Sequence, residues 1–239
     1  MMEKNVALIL AAGKGTRMGQ GKEKAFLPLA GKPLLAWTLF AFEAFSRIHE
    51  LIVVVPPNCE EECRKEVIVP YGISKAKVVS GGNERQDSIQ NGFAEIEGLC
   101  NVVIIHDGAR PFVTQALLEK TLDAAEQTGA AVVAVPVKDT IKIVDEGGMV
   151  QKTLDRSCLW AVQTPQAYRY SIIKQALEEA KRGNFYGTDD ASLVERLGKP
   201  VQIVTGSYEN IKVTSPEDLV FGEVILRKRT GENLIREGT

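Results

Sequence analysis

The sequence predicts an α/β fold in which a mostly parallel sheet is covered by helices on both faces. Short apolar runs, among them residues 51–55 and 130–135, have the length and composition of buried strands. Segments with helical spacing or capping signals separate these runs, and such alternation places successive strands side by side in parallel. With 239 residues, the chain is long enough to bury a large core.

Strands and helices alternate through most of the chain. The predicted strands are residues 6–12, 51–55, 78–79, 102–105, 130–135, 201–204 and 210–213. The predicted helices are residues 33–45, 60–67, a segment containing 89–96, 114–127, 170–181, a short helix ending at Gly198, and a last helix that begins at 215–216.

Local signals mark where several helices begin and end. Pro33 stands at the first position of a strongly apolar helix, where a proline costs no helical hydrogen bond. Thr114 is expected to cap the helix that follows it, and Gly129 to end that helix. Ser215 and Pro216 begin the last helix in the same way.

Residues 137–160 interrupt this alternation. Short alternating runs at 140–144 and 149–153 flank a turn of Asp, Glu and two Gly residues, which is typical of a β-hairpin. We interpret the segment as a β-arm inserted into the α/β body. Because an isolated two-stranded hairpin is only marginally stable in water, we expect the arm to pack on another surface, most simply a second subunit.

Composition restricts the functional classes. The 29 Lys and Arg residues nearly balance the 31 Asp and Glu residues, which argues against a general attraction to nucleic acid or anionic membranes. No apolar run approaches the roughly 18 residues of a membrane span, and no secretory signal is recognised, so we expect a cytoplasmic protein. The four cysteines and two histidines do not match zinc-site spacing, and we expect free thiols.

The stretch of residues 6–24 carries the most specific functional signal. Its apolar run leads directly into a loop that contains Gly13, Gly15, Arg17 and Lys24. Glycines allow backbone amides to approach an anion, and the cationic side chains add mobile charge. The sequence therefore predicts a polyphosphate-binding loop, with an ordinary turn as the alternative.

Two common phosphate loops do not fit this stretch. The dinucleotide motif GxGxxG fails because Met18 occupies the third glycine position. The P-loop motif fails because Thr16 replaces its first glycine and Glu23 replaces its metal-binding Ser or Thr. Neither hydride transfer nor γ-phosphate cleavage is indicated.

Polar residues also follow other predicted strands. Residues 80–88 follow the third strand, Asp107 and Arg110 follow the fourth, and Lys212 lies on the last. In an open parallel sheet, ligands bind beyond the carboxyl ends of the strands, so we expect these residues to converge on the glycine loop. Asp107 fits a magnesium ligand on a triphosphate, a contact to a sugar hydroxyl, or a cap of nearby amides.

Several of these residues also fit structural roles. Arg110 is equally compatible with bracing its loop, and Lys212 with an exposed strand position. His106 is expected to be packed or hydrogen-bonded in the core. Arg156 fits a surface ion pair with the preceding aspartate, and residues 188–190 fit the N-cap and acidic first turn of a helix.

Taken together, the motifs resemble those of one enzyme family. In chain order they are LAAGKGTRMG with Lys24, GGNERQDS, HDGARPF, the arm's DT and DR, TPQ, TDDAS and NIKVTSPEDL. Over about residues 6–226, their order and spacing resemble the 2-C-methyl-D-erythritol 4-phosphate cytidylyltransferases. The resemblance implies a Rossmann-like, GT-A-like nucleotidyltransferase fold, with residues 1–239 as one domain and the β-arm inserted at about 137–160.

The resemblance also implies an activity. The family transfers the cytidylyl group from CTP to methylerythritol phosphate and releases pyrophosphate, in the non-mevalonate route to isoprenoids. It implies Mg²⁺ as cofactor, CTP and a sugar-alcohol phosphate as substrates, and a homodimer formed through the arm, with no nucleic acid or membrane partner. A phosphate monoester is already anionic near neutral pH, so its attack needs placement and charge neutralisation rather than a general base.

The family's functional residues carry over onto matching positions. The resemblance assigns catalysis to Arg17, Lys24, Arg156 and Lys212. It assigns nucleotide binding to Ala11, Ala12, Gly13, Gly15, Gly82, Asn83, Arg85, Ser88 and Asp107. It assigns binding of the sugar phosphate to Arg110, Thr140, Arg156, Thr188 and Lys212, and a metal contact to Asp107. One departure concerns the loop, because relatives often have Pro-Lys-Gln where this chain has Glu23, Lys24 and Ala25. The catalytic lysine remains, and the placement of the preceding loop stays open.

Two other functions remain open at this point. Another pyrimidine nucleotidyltransferase, such as a ribitol 5-phosphate cytidylyltransferase, has similar loops and differs only in its acceptor pocket. The other possibility is a non-catalytic nucleotide-binding protein with the same fold. The joint presence of Arg17, Lys24, Asp107 and Lys212 argues against it.

Overall fold

The computed structural model describes residues 3–13 and 24–230. Its strands are β1 (Lys4–Leu10), β2 (Pro28–Leu29), β3 (Lys32–Pro33), β4 (Glu50–Val55), β5 (Ala76–Ser80), β6 (Cys100–Asp107), β7 (Ala130–Pro136), β8 (Lys142–Val144), β9 (Val150–Thr153), β10 (Trp160–Arg169) and β11 (Gln202–Thr205). Its α-helices are α1 (Leu34–Glu43), α2 (Glu60–Cys63), α3 (Arg85–Ala94), α4 (Gln115–Thr128), α5 (Tyr170–Arg182), α6 (Asp190–Arg196) and α7 (Pro216–Thr230).

The central sheet has seven strands in the order β11, β7, β10, β6, β1, β4, β5. Strand β1 pairs in parallel with β4 and β6, β4 with β5, and β7 with β11. Only β10 runs antiparallel, between β6 and β7. The predicted mostly parallel α/β fold is confirmed.

Helices cover both faces of this sheet, as the sequence predicts. Successive side chains of a strand point to opposite faces. On β1, Ala7 and Ile9 belong to the core beneath α1 and α4, whereas Val6 and Leu8 belong to the core beneath α3, α5 and α6. All four are fully buried, which explains why β1 is a continuous apolar run rather than an alternating one. Within the described ranges, no helix is long and apolar enough to cross a membrane.

Most helix boundaries agree with the local signals. The Thr114 hydroxyl accepts a hydrogen bond from the Leu117 amide at 3.2 Å, and Gly129 ends α4 with a φ of +93°. Pro33 precedes α1 as its N-cap rather than standing inside it. The predicted helix at 60–67 consists of α2 followed by a π-helical turn, Arg64–Ile68.

Strand β10 is the main element that the sequence does not predict. Its middle carries Gln163, Thr164, Pro165 and Gln166, a polar stretch that normally indicates a loop. The three polar side chains are nevertheless buried and hydrogen-bonded to neighbouring segments. The pairing with β7 is irregular between Val162 and Gln166, which accommodates the proline in an interior strand.

The strand predicted at 210–213 is wrong. This segment is irregular, and its alternation of apolar and polar residues arises from packing instead of strand pairing. Val213 is fully buried in a third core with Phe112 and Leu226. The Val213 amide donates to the Ala109 carbonyl at 2.9 Å. The segment therefore lies against the loop after β6 instead of pairing in the sheet.

The β-arm is a hairpin, as the sequence predicts. Strands β8 and β9 pair antiparallel in a sheet of their own, and every residue in them is exposed. Asp145 shapes the turn by accepting hydrogen bonds from the amides of Gly147 and Met149. Large apolar side chains of the arm are exposed in this single chain, among them Met149 at 69% and Val150 at 58%.

Candidate active site

A cleft of about 670 Å³ lies at the carboxyl ends of the central parallel strands. Ten of the site residues implied by the resemblance line it: Ala11, Ala12, Gly13, Lys24, Gly82, Asn83, Arg85, Ser88, Asp107 and Lys212. They come from five separate segments of the chain, and the parallel sheet brings them together because its strand ends meet at one edge. Gly15 and Arg17 lie outside the described residues.

Backbone hydrogen bonds hold the strand ends in a fixed arrangement. The amide of Ala11 donates to the Val54 carbonyl at 2.7 Å, and the amide of Gly108 donates to the Leu10 carbonyl at 2.8 Å. These hydrogen bonds link the carboxyl ends of β1, β4 and β6 just below the cleft. A rigid floor of this kind keeps the side chains above it in defined positions.

The glycine pair after β5 allows a close approach between segments. A Cβ on Gly81 would lie 2.5 Å from the Cβ of Ala12, and a Cβ on Gly82 would lie 2.4 Å from the Cβ of Asp87. The Gly82 amide donates to the Ser88 hydroxyl at 3.0 Å. The small residues therefore allow this wall of the cleft to pack tightly against the start of α3.

Asp107 is the centre of a charge cluster. Its carboxylate lies 2.9 Å from Lys212 Nζ, 3.6 Å from Arg110 Nε and 3.7 Å from Arg85 Nε. Burial alone would raise its pKa, but Lys212, Arg85 and Arg110 together outweigh burial and lower the pKa to about 2. Asp107 is therefore an anion throughout the neutral range.

Arg85 is held from behind by Asp190, a residue to which the sequence assigns only a helix start. The guanidinium nitrogens of Arg85 donate to both carboxylate oxygens of Asp190 at 2.8 and 2.9 Å. Asp190 is 1% exposed, and burial raises its pKa although Arg85 acts in the opposite direction. Because 105 residues separate the two partners, no local pattern could have revealed this bidentate pair.

Arg110 braces its loop. Its Nη1 donates to the Asn210 carbonyl at 2.8 Å, and its side chain is 12% exposed. Burial lowers its pKa, with Asp107 acting in the opposite direction. The guanidinium thus lies beneath the cleft and connects Asp107 to the segment that carries Lys212.

Three residues assigned to the sugar phosphate lie elsewhere in this chain. Thr140 and Arg156 are exposed at the base of the arm, and Thr188 is exposed before α6. Arg156 Nη1 donates to the Lys138 carbonyl at 2.6 Å, whereas the Asp155 carboxylate accepts from the Ser157 amide. The expected surface pair between Arg156 and Asp155 is therefore replaced by separate local bonds.

The short helix α6 begins as the sequence predicts. The Asp189 carboxylate accepts a hydrogen bond from the Ser192 amide at 3.0 Å, which is the geometry of an N-cap. Its other oxygen accepts from Gln166 Nε2 at 3.2 Å, which ties α6 to β10.

His106 is a core residue, as predicted. It is fully buried, and burial lowers its pKa to about 4, so the imidazole is neutral. The Thr164 hydroxyl accepts from the Asp107 amide at 3.0 Å and lies 3.0 Å from His106 Nδ1. His106 Nε2 lies 3.1 Å from the Arg110 carbonyl. The ring therefore supports the loop that presents Asp107.

Asp107 is a candidate carboxylate ligand for a metal ion at the cleft. Residues 3–13 and 24–230 contain no group of three or more His, Cys, Asp or Glu side chains that could hold a metal ion. Mg²⁺ commonly uses one or two protein carboxylates and takes its other ligands from substrate phosphates and water. Asp107, which lines the cleft as an anion, can provide one such carboxylate.

The cysteines are free thiols, as the sequence predicts. Cys63 is buried and Cys158 is exposed. Burial raises the pKa of Cys63 and of Cys100 to about 12, so these two thiols stay protonated and poorly reactive at neutral pH.

Comparison with known proteins gives a consistent result. The model of the family described as IspD, 2-C-methyl-D-erythritol 4-phosphate cytidylyltransferase, matches residues 5–228. The protein of that name from Alkaliphilus metalliredigens is 50% identical over 227 residues, which are 95% of this chain and 94% of the relative. The one from Geobacillus kaustophilus is 51% identical over 227 residues, which are 95% of this chain and 98% of the relative.

Solved structures agree with these relatives. The 4-diphosphocytidyl-2C-methyl-D-erythritol synthase of Anaerococcus prevotii superposes with a TM-score of 0.84 at 31% identity, covering 94% of this chain and 96% of that one. The 2-C-methyl-D-erythritol 4-phosphate cytidylyltransferase of Thermus thermophilus superposes with a TM-score of 0.78 at 36% identity, covering 95% of this chain and all of that one.

Proposed function

Because the chain belongs to the 2-C-methyl-D-erythritol 4-phosphate cytidylyltransferase family, we propose that it transfers the cytidylyl group from CTP to 2-C-methyl-D-erythritol 4-phosphate and releases pyrophosphate. The cleft is the observation that carries the proposal. It combines backbone amides at the end of β1 with the cations Lys24, Arg85 and Lys212 and the anionic carboxylate of Asp107. This composition suits two phosphorylated substrates.

The reaction needs positioning and charge neutralisation. A phosphate oxygen of the acceptor attacks the α-phosphorus of CTP, a new P–O bond forms, and the bond to the bridging oxygen breaks so that pyrophosphate leaves with the electron pair. The acceptor oxygen is already anionic, so no side chain has to remove a proton. Lys24 would stabilise the charge that develops on the triphosphate, and Lys212 the acceptor phosphate.

Magnesium is part of the same proposal. Asp107 would supply one carboxylate ligand, while the nucleotide phosphates would supply others. The bound ion would offset charge on the triphosphate and on the departing pyrophosphate. Lys212 Nζ lies 2.9 Å from the Asp107 carboxylate, and its ammonium group would be available to the acceptor phosphate if a metal ion bound that carboxylate.

We also propose that the active enzyme is a homodimer formed through the arm, with a cytoplasmic location where CTP is available. The exposed apolar side chains of the arm support an interface. The placement of Thr140 and Arg156 at the arm base, away from the residues that line the cleft, supports a site completed by the arm of the other subunit.

A pyrophosphate-release assay with CTP tests the proposed activity. We expect rapid release with 2-C-methyl-D-erythritol 4-phosphate and Mg²⁺, and little with ribitol 5-phosphate or without acceptor. Faster release with ribitol 5-phosphate would favour the other cytidylyltransferase. Binding of CTP without release on either acceptor would favour a non-catalytic nucleotide-binding protein.

Arg156→Ala should separate the two substrates. We expect the KM for the sugar phosphate to rise about tenfold or more, because a charge-assisted contact to phosphate is lost, while the KM for CTP changes by less than about twofold. The matched control is Arg182→Ala on α5, which removes an exposed arginine paired with Glu179. An equal rise in both KM values would contradict the assignment of Arg156.

The same variant tests whether the arm acts across a dimer. Neither Arg156→Ala nor Lys24→Ala alone should be fully active, but a mixed dimer would contain one site with both residues intact if Arg156 serves its partner's cleft. We therefore expect activity to recover when the two variants are mixed and allowed to exchange subunits. Absence of recovery, with exchange shown by native mass spectrometry, would place Arg156 in the cleft of its own chain.

A further inference from the structure

Asn210 is a buried polar residue beneath the cleft that takes part in four hydrogen bonds. It is fully buried, and its Nδ2 donates to the Thr164 carbonyl at 2.9 Å and to Gln163 Oε1 at 3.1 Å. Its backbone carbonyl accepts from Arg110 Nη1 at 2.8 Å, and its amide donates to the Ser207 carbonyl at 3.0 Å. Two segments of the chain, one from β10 and one after β6, therefore meet at a single asparagine.

These bonds place the carboxylate and the cations of the cleft in one frame. The backbone carbonyl of Thr164 accepts a hydrogen bond from Asn210, and the Thr164 hydroxyl accepts one from the Asp107 amide. Arg110, which donates to the Asn210 carbonyl, lies 3.6 Å from the Asp107 carboxylate. Asn210 thus contacts the supports of Asp107 on both sides.

Lys212 depends on this frame because no strand holds its segment. Residues 211–214 are irregular, and the backbone around Lys212 is held at Asn210 on one side and at Val213, whose amide donates to Ala109, on the other. A lysine side chain has four rotatable bonds and much conformational freedom, so the position of its backbone determines where its ammonium group can reach.

We propose that Asn210 is a positioning residue that holds Lys212 and Arg110 at their distances from Asp107 for the cytidylyl transfer proposed above. The amide of an asparagine can donate two hydrogen bonds to two separate acceptors. A carboxylate or an aliphatic side chain of similar size cannot. Asn210 Oδ1 is buried with no hydrogen-bond partner in the described part of the chain. A buried oxygen without a hydrogen-bond partner lowers the free energy of unfolding. This loss is consistent with a residue that serves to position its neighbours rather than to stabilise the fold.

Two variants test this role. Asn210→Ala removes both donors, and Asn210→Ser, which keeps one neutral hydroxyl donor that cannot serve both acceptors, guards against a variant that fails to fold. We expect each to lower kcat/KM for the sugar phosphate by about tenfold or more, because small misplacements of binding groups are costly. The Kd for CTP, measured by calorimetry without acceptor, should change by less than about threefold.

Asn5→Ala is the matched control. Asn5 is also buried, at 7% exposure, and its Nδ2 donates to the Arg47 carbonyl at 3.2 Å near the start of β1. We expect a loss of thermal stability similar to that of Asn210→Ala but unchanged kinetics. If Asn210→Ala alters the kinetics no more than Asn5→Ala does, the residue has only a structural role.

A double variant tests whether Asn210 acts through Lys212. If it does, adding Asn210→Ala to Lys212→Ala should lower kcat/KM by less than about twofold further. Effects that multiply would overturn the inference.

A crystal structure of Asn210→Ala gives a readout that does not require turnover. We expect Lys212 Nζ and Arg110 Nε to lie farther from the Asp107 carboxylate than their present 2.9 and 3.6 Å, while Arg85 stays in place. Unchanged distances would overturn the inference. An inactive wild-type enzyme would overturn the proposed function but leave this measurement decisive.

Discussion

Lys24→Ala should turn over about a hundredfold or more slowly than the wild-type enzyme, because removal of one preorganised stabilising group commonly costs that much. Lys24 lines the cleft, where its charge can meet the triphosphate. Its position is set by the buried residues that follow it, Ala25 at 6% and Phe26 at 4% exposure. Since Lys24 itself is only partly buried, we expect the free energy of unfolding to change by less than about 1 kcal/mol.

Steady-state kinetics and thermal melting check this prediction together. The matched control is Lys199→Ala, an exposed lysine beyond α6 whose loss should leave both measurements unchanged. A fall in kcat with little change in the KM for CTP would show that Lys24 acts mainly in the transition state. Near-normal turnover of Lys24→Ala would remove its catalytic role.

The strands could be predicted from the sequence where burial on both faces of the sheet produces a continuous apolar run. The strands β1, β4 and β6 are covered on both faces, so they read as unbroken apolar runs. The same logic failed for β10, where buried Gln163, Thr164 and Gln166 satisfy one another and their neighbours through long-range hydrogen bonds. Polar residues that are buried and satisfied cannot be distinguished from loop residues in a single sequence.

The site likewise contains residues that the sequence identifies and supporting residues that it does not. The rule that ligands bind at strand ends correctly placed Asp107 at the cleft. Lys212 also reaches the cleft, 2.9 Å from Asp107, although its segment is irregular and not the strand that the sequence predicts. The supporting residues were missed, because Asp190 and Asn210 find their side-chain partners 105 and about 46 residues away. Arg156 lies on the arm, away from the residues that line the cleft.

Asp107→Asn is the second variant with a large expected effect. Neutralising this carboxylate removes the metal ligand that we propose, so kcat should fall about a hundredfold and the Mg²⁺ concentration for half-maximal rate should rise. Asp123→Asn, which removes a carboxylate paired with Arg47 on the surface, is the control. Turnover and Mg²⁺ dependence both within about threefold of wild type would contradict the metal role of Asp107.

The same variant makes a prediction about pH and stability. The pKa of Asp107 falls from 3.8 to about 2 on folding, because Lys212, Arg85 and Arg110 outweigh the effect of burial. A carboxyl whose pKa is lowered in the folded state stabilises that state above its unfolded pKa, and this contribution is lost as the pH falls through the folded value. For Asp107 it amounts to about 2 kcal/mol at neutral pH.

The difference in unfolding free energy between wild type and Asp107→Asn should therefore be constant above about pH 5 and shrink between about pH 4 and pH 2. Urea unfolding of both proteins across this range measures it. Part of the difference should persist at pH 2, because a folded pKa of about 2 leaves about half of the wild-type Asp107 carboxyls ionised and paired with Lys212, Arg85 and Arg110 at that pH. A difference that stays constant down to pH 2 would mean that the ionised carboxylate does not stabilise the fold, and the cations would then be held apart by the frame around Asn210 alone.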